Sequence, residues 1–255
     1  MKAIVKGVEP PKLLTYRTSC STRTWEQFTS KDKRKKETQR QLVSDQGGIC
    51  AYCEVDLKTA PKHRVADLRV EHFHPKSDKS SGHNWNLDWQ NLLACCHGGS
   101  QKNVVDSADR FSSPDHSCDV PKGKKILDHV ILNPICIPAY PCLFKIERSS
   151  GGISVHNENC DSAGVNVQKA QATIDELRLD SERLRRMRKG ELNRINEQLR
   201  DRVANGETVD EAREYLAKAL LRKDSNSLWP KFFTSIRSYL GSSAETQLRA
   251  INYIE

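Results

Sequence analysis

Long apolar runs are missing from this chain. None reaches the roughly 18 residues that a membrane-crossing helix needs, so no transmembrane helix is expected. The opening stretch MKAIVKGVEPPKLLTYR also lacks the apolar centre of a secretory leader, its prolines arriving too early, and the cytoplasm is the expected compartment. Aromatic residues are scarce at 6%, and the four Trp, six Tyr and six Phe form no obvious stacking platform, which speaks against a protein that wraps a long single strand. Hydrophobic residues make up 36% of the 255 residues against 29% charged, a lean supply of core. That length suits one medium domain with additions or two small ones. A formal charge of +8 favours polyanionic partners without naming one.

Cysteine, by contrast, is plentiful. There are nine, and eight of them fall between Cys20 and Cys142. With no secretory leader, metal binding takes precedence over disulfides, and the odd count points the same way. The sequence CAYC sets Cys50 and Cys53 two residues apart, a spacing that lets one tight knuckle aim two thiolates at a tetrahedral zinc ion. The other half of such a site is expected from LLACCHGG and HSCDVPKGKK. Cys96 and Cys118 are the favoured pair, with Cys95 and His97 as substitutes. Cys20, Cys136, Cys142 and Cys160 read as ordinary reduced thiols. A redox pair at the CxxC would need a strand and helix pattern that residues near 50 lack.

Three stretches are distinguishable along the chain. Residues 1–24, with Pro10 and Pro11, read as an extended arm, and WEQFTSKDKRKKETQRQLVSDQGGIC as a basic helix stopped near Gly47 and Gly48. The KDKRKK run is either a solvated helix face or a phosphate contact. From Cys50 to Lys145 helical periodicity fades and Cys, His, Gly, Ser and Pro accumulate, as in a small domain held by metal. Beyond Val165, apolar residues from Val167 to Val203 recur at three-and-four spacing, predicting a long amphipathic helix with a break at Gly190. Thr208 with Glu211 forms a capping box for VDEAREYLAKALL, and a last helix is expected to start around Pro230.

Between the halves of the zinc knuckle lies RVEHFHPKSD, where a glutamate, two histidines and a lysine surround a proline. An isolated Glu-His pair would read as a surface ion pair. Here, however, GGICAYCE, EHFHPKS, LDWQNLL, CDVPKGKK and LNP follow in order, and together they resemble the HNH endonuclease subunit of Septu-type anti-phage systems, including versions associated with retrons. The arm IVKGVEPPKL is similar to that family as well. The resemblance covers about residues 1 to 145; the helical half matches only in general character.

The resemblance implies an α+β fold: a zinc-stapled ββα-metal core at 46–145, an N-terminal arm and basic helix at 1–45, and a mostly α-helical partner-docking region at 146–255. It implies a metal-dependent endonuclease acting on nucleic-acid phosphodiesters, with DNA the favoured substrate and structured RNA such as tRNA the second. His72 would be the general base, since neutral imidazole accepts a proton near pH 7. Glu71 and Asp119 would hold the catalytic Mg2+ or Mn2+, while Zn2+ stays structural. Both depart from the commoner pattern, Glu71 standing where many relatives have Asp and Asp119 where many have Asn or His. Asn91 would be the middle Asn, steadying the base loop or reaching the metal, although LDWQNLL also reads as a helix start capped by Asp88. His74 is open between metal ligand, phosphate contact and base. Lys76, Lys122, Lys124 and Lys125 would meet phosphate. His63, His116, His129 and His156 receive no role.

The implied partners are nucleic acid, an ABC-like or SMC-like ATPase, and a reverse transcriptase with its RNA-linked single-stranded DNA; no membrane is implied. The competing reading is a non-catalytic zinc-knuckle binding or adaptor protein in which EHFHP is itself a zinc site.

Overall fold

The computed structural model describes residues 1–58 and 64–253. His63 lies outside them. Residues 1–10 adopt no regular structure, yet Met1, Lys2, Ala3 and Ile4 are buried. The arm is docked by a backbone hydrogen bond from Ile4 to Pro134 at 2.9 Å and by the Trp89 indole N–H, which donates to Gly7 O at 3.0 Å. It ends earlier than residue 24, because Pro11 opens helix α1 (Pro11–Ser19). Proline suits that first position: its φ is already helical and its missing N–H is not needed there.

Helix α2 (Trp25–Thr29) starts in a capping box between Thr24 and Gln27. The basic helix α3 (Asp32–Gln46) follows after a short break and stops at Gly47, whose φ of 62° is left-handed. A Cβ there would lie 2.2 Å from Cδ1 of Trp229, so the glycine is demanded by both backbone and packing.

The central region is built from very short pieces. Strand β1 (Arg69–His72) pairs antiparallel with β2 (Leu92–Cys95), in the register Arg69 to Cys95 and Glu71 to Leu93. Asp88 caps a single 3-10 turn over Trp89–Asn91, so the LDWQNLL helix start is one turn long before the chain straightens into β2. Helices α4 (Ser107–Arg110) and α5 (Asp119–Lys122) are one turn each. A second hairpin joins β3 (Phe144–Ile146) to β4 (Ile153–Val155).

Helices then dominate: α6 (Asn157–Ser162), α7 (Val167–Glu176), α8 (Glu182–Ala204), α9 (Val209–Leu220), α10 (Phe233–Leu240) and α11 (Ser242–Ala250). The expected long amphipathic helix is broken at 177–181, where Arg178 takes a left-handed φ of 48°, and not at Gly190, which sits inside α8. The Thr208–Glu211 capping box forms at the start of α9. The last expected helix begins at Phe233, three residues after Pro230, because Phe232 is left-handed at φ 55°.

Two apolar clusters result. The first runs from the arm through α3, the knuckle, the β1–β2 hairpin and α7 to Leu184. The second joins Ile49 to Leu192, Leu216, Trp229, Phe233 and Leu248. They meet within α8. Among the described residues no helix is long and apolar enough to cross a membrane.

Replacing Gly47 by Ala is expected to destabilise the protein by about 3 kcal/mol, from strain at a left-handed residue and collision with Trp229. Urea denaturation measures it; a loss near zero would show that the Trp229 contact yields freely.

Candidate active site and metal centre

The thiols of Cys50, Cys53, Cys96 and Cys118 converge, all within 4.8 Å of one another and all buried. Cys53 to Cys96 is 3.5 Å, Cys96 to Cys118 is 3.6 Å and Cys50 to Cys118 is 4.0 Å. Sulfurs about 2.3 Å from a tetrahedral zinc lie about 3.8 Å apart, so the cluster could hold zinc. Local backbone geometry aims them. Glu54, directly after the CxxC, has φ 62°, and Cys118 has φ 63°, two left-handed turns that non-glycine residues adopt only when their surroundings impose them. Backbone amides of Cys96 and Gly98 point at Cys50 Sγ and Cys96 Sγ, each at 3.4 Å. Burial raises the Cys50 thiol, but hydrogen bonds from Cys118, Cys53, Cys95 and Cys96 outweigh it and hold Cys50 well below the usual thiol range.

Neither substitute ligand joins the cluster. Cys95 is one residue out of phase on β2, and the His97 ring is turned to Asp67, Nδ1 to Oδ1 at 2.9 Å. The compensating charge comes from α8. The buried Arg183 donates to Ser117 Oγ at 2.5 Å and leaves Nε without a partner, and burial lowers its guanidinium less than the nearby Cys96, Cys53 and Cys118 raise it. Arg188 is also buried, which pulls it down to about 10, but its guanidinium is engaged by Asp180 at 3.6 Å and by the carbonyls of Gly151 and Leu179.

Immediately beside this cluster sits a pair of buried carboxylates. Asp119, the first residue of α5, reaches Glu71 on β1 within hydrogen-bonding range. Burial raises both carboxyls, and for Asp119 the charge of Glu71 raises it further; for Glu71 the Lys122 ammonium works against that rise. Lys122 Nζ is 2.7 Å from Glu71 Oε1, and Arg69 Nε is 2.9 Å from Asp119 Oδ2. Neither approach has hydrogen-bond geometry: Glu71 Oε1 and both Asp119 oxygens are buried with no hydrogen-bond partner. Two buried carboxylates facing each other, with oxygens met only by ion contacts, are an oxygen donor set that could hold Mg2+ or Mn2+.

His72 leaves β1 on the face opposite Glu71, as strand alternation requires. Its ring meets Trp25 edge-on at 5.3 Å, and Nε2 is 3.0 Å from the Asn86 carbonyl, so Nε2 carries the hydrogen and Nδ1 is the free base. Burial lowers its pKa to about 4.

Asn91 holds the loop between the strands: its side-chain N–H group donates to the carbonyls of His74 and Trp85, each at 2.9 Å, and its oxygen accepts from the His74 N–H at 2.6 Å. His74 itself is clamped. Nδ1 is 3.0 Å from Asp128, Nε2 is 2.8 Å from Asp78, and the ring stacks on Trp85 at 4.0 Å. With both ring nitrogens taken, His74 is not placed to act as a base, and neither it nor His72 joins the four-cysteine cluster.

The lysines differ from expectation. Lys122, expected at phosphate, is 1% exposed and donates to His72 O at 3.1 Å, serving instead as the inner counter-charge of Glu71. Lys76 pairs with Glu26, and Lys125 with Glu176 at 2.7 Å. Only Lys124 of the four stands exposed with no ion pair among the described residues. Sequence reasoning missed Arg69, Asp78, Trp85, Asn86 and Asp128. Of these, Asp78 carried a signal, four residues after His74 in the same motif.

No protein-family model matches the chain. It is, however, 31% identical over 222 residues to the "Retron Ec83 putative HNH endonuclease" of Escherichia coli, an alignment covering 79% of this chain and 83% of that protein. The chain belongs to the HNH endonuclease family. It is thus an endonuclease by family, and the four-cysteine cluster and the mixed helix and small-sheet architecture agree with an HNH nuclease.

Purified HNH endonuclease is expected to carry one zinc ion per chain, and Cys118→Ser to lose both the ion and cooperative unfolding, as read by elemental analysis and thermal melting. A stable, zinc-free variant would remove the cluster as a structural centre. The folded pKa of His72 is depressed, so between about 4 and 6.5 the unfolded chain binds the extra proton and stability falls with falling pH. From pH 7.5 to 5.5 this is expected to cost about 1 kcal/mol that His72→Gln does not lose. Equal losses by denaturant titration would show a ring that titrates as if exposed.

Proposed function

We propose that this chain is a metal-dependent nuclease effector of an anti-phage defence complex, with DNA as its first substrate and structured RNA such as tRNA second. The observation that carries the reading is the buried carboxylate pair of Glu71 and Asp119, met only by ion contacts, on a strand whose next residue, His72, has a free Nδ1. Glu71 and Asp119 would hold a Mg2+ or Mn2+ ion, which would supply positive charge at the phosphate. The protein supplies the rest.

His72 Nδ1 takes a proton from the attacking water as its oxygen bonds to phosphorus and the phosphorus–oxygen ester bond breaks. The Asn86 carbonyl fixes the tautomer that leaves Nδ1 open to a proton, and burial keeps the ring unprotonated at neutral pH. Asn91 holds the loop from which Asn86 does so. Lys124 and the exposed cations at the start of α3 are the surface offered to phosphates. Lysines at a helix N-terminus oppose the helix dipole, which supports a polyanion-binding role for Lys31, Lys33 and Lys35. The retron relative supports a retron setting. A reverse transcriptase with its RNA-linked single-stranded DNA and an ABC-like or SMC-like ATPase are the partners we propose.

His72→Ala is expected to lower cleavage of the preferred nucleic acid by about 1000-fold while zinc content is unchanged, and EDTA is expected to abolish wild-type cleavage. Assays on duplex DNA and total cellular RNA in Mg2+ and Mn2+ identify the substrate. Undiminished cleavage by His72→Ala would remove that residue as the base.

A further inference from the structure

Arg69 lies two residues before Glu71 on β1, so the two side chains leave the strand on one face. The carboxylate pair therefore meets two cations of different character. Lys122 is 1% exposed and is fixed on its inner side by Glu71 and the His72 carbonyl. Arg69 is 43% exposed, while the Asp119 side chain it touches is 1% exposed. Its guanidinium makes no hydrogen bond among the described residues, only the 2.9 Å ion contact through Nε. The flat fork that matches phosphate oxygens two at a time is thus unused and stands at the open edge of the pair. The guanidinium is the half of the pair open to water, so it can leave Asp119 once a divalent ion replaces it as the counter-charge of that buried carboxylate.

Building on the nuclease reading above, we infer that Arg69 is a further catalytic residue, which covers Asp119 before a divalent ion enters and then turns its guanidinium to the scissile phosphate. The arginine first stands in for the ion at Asp119. Once displaced, it stays close enough to neutralise the charge gathering on the phosphate oxygens, with no covalent change of its own. Arrival of the metal and grip on the phosphate are thereby coupled through one side chain.

The test compares wild type, Arg69→Ala, Arg69→Gln and Arg69→Lys as full chains with zinc content verified, the glutamine variant serving if alanine disturbs the fold. Mn2+ binding without nucleic acid is followed by electron paramagnetic resonance. Arg69→Ala is expected to bind Mn2+ roughly two- to fivefold more tightly, its competitor being gone. Single-turnover cleavage of the nucleic acid that wild type cuts, with co-purifying partners present, is expected to slow about 100-fold at saturating substrate, and Arg69→Lys to recover part of the rate. Unchanged or weaker Mn2+ binding, or an unchanged rate beside an active wild type, overturns this inference alone. Wild type that cuts neither DNA nor RNA overturns the nuclease reading with it.

Discussion

Four sulfur atoms drawn to one point hold together three stretches that have little else to fix them: the knuckle at Cys50 and Cys53, the end of β2 and the start of α5. Strands of four residues and helices of one turn do not persist in water unaided. A structural zinc site contributes on the order of 10 kcal/mol to folding, comparable with the whole stability of a typical domain. Each candidate catalytic group is tied closely to a cysteine. Asp119 follows Cys118 directly, and Glu71 lies on the strand paired with β2, whose last residue precedes Cys96. Precision at the carboxylates is inherited from sulfur geometry.

That arrangement concentrates negative charge in a dry place. Zinc with four thiolates carries a net charge of two minus, and the carboxylate pair lies next to it. Buried charge is tolerated only with partners, and the partners come from distant sequence: Arg183 from α8 for the thiolates, Lys122 from α5 for Glu71, Arg69 from β1 for Asp119. The two apolar clusters and the counter-charge of the thiolates thus meet on α8.

Much of this was legible in local sequence because local chemistry decides it. The CxxC spacing, the glycine stop at Gly47 and the Thr208 capping box are each set within four residues, and each forms as the spacing predicts. What depended on distant neighbours was not legible. Lys122 looks like a surface lysine in CDVPKGKK, and only the fold shows it turned inward to Glu71. The clamp on His74 needs Asp128, 54 residues away, which no motif marks. The break between α7 and α8 rests on Arg178 adopting a left-handed turn, a conformation that nothing in LRLDS demands, whereas Gly190, the residue that invites a break, is carried through by packing on both sides of it.

Because Arg183 sits on the helix that also carries the second apolar cluster, removing α8 would take from the four cysteines a counter-charge together with a packing surface. With zinc held by four thiolates, a chain cut ahead of α8 would leave a doubly negative centre without its arginine. The region with the least motif character thus supplies a charge on which the region with the most depends.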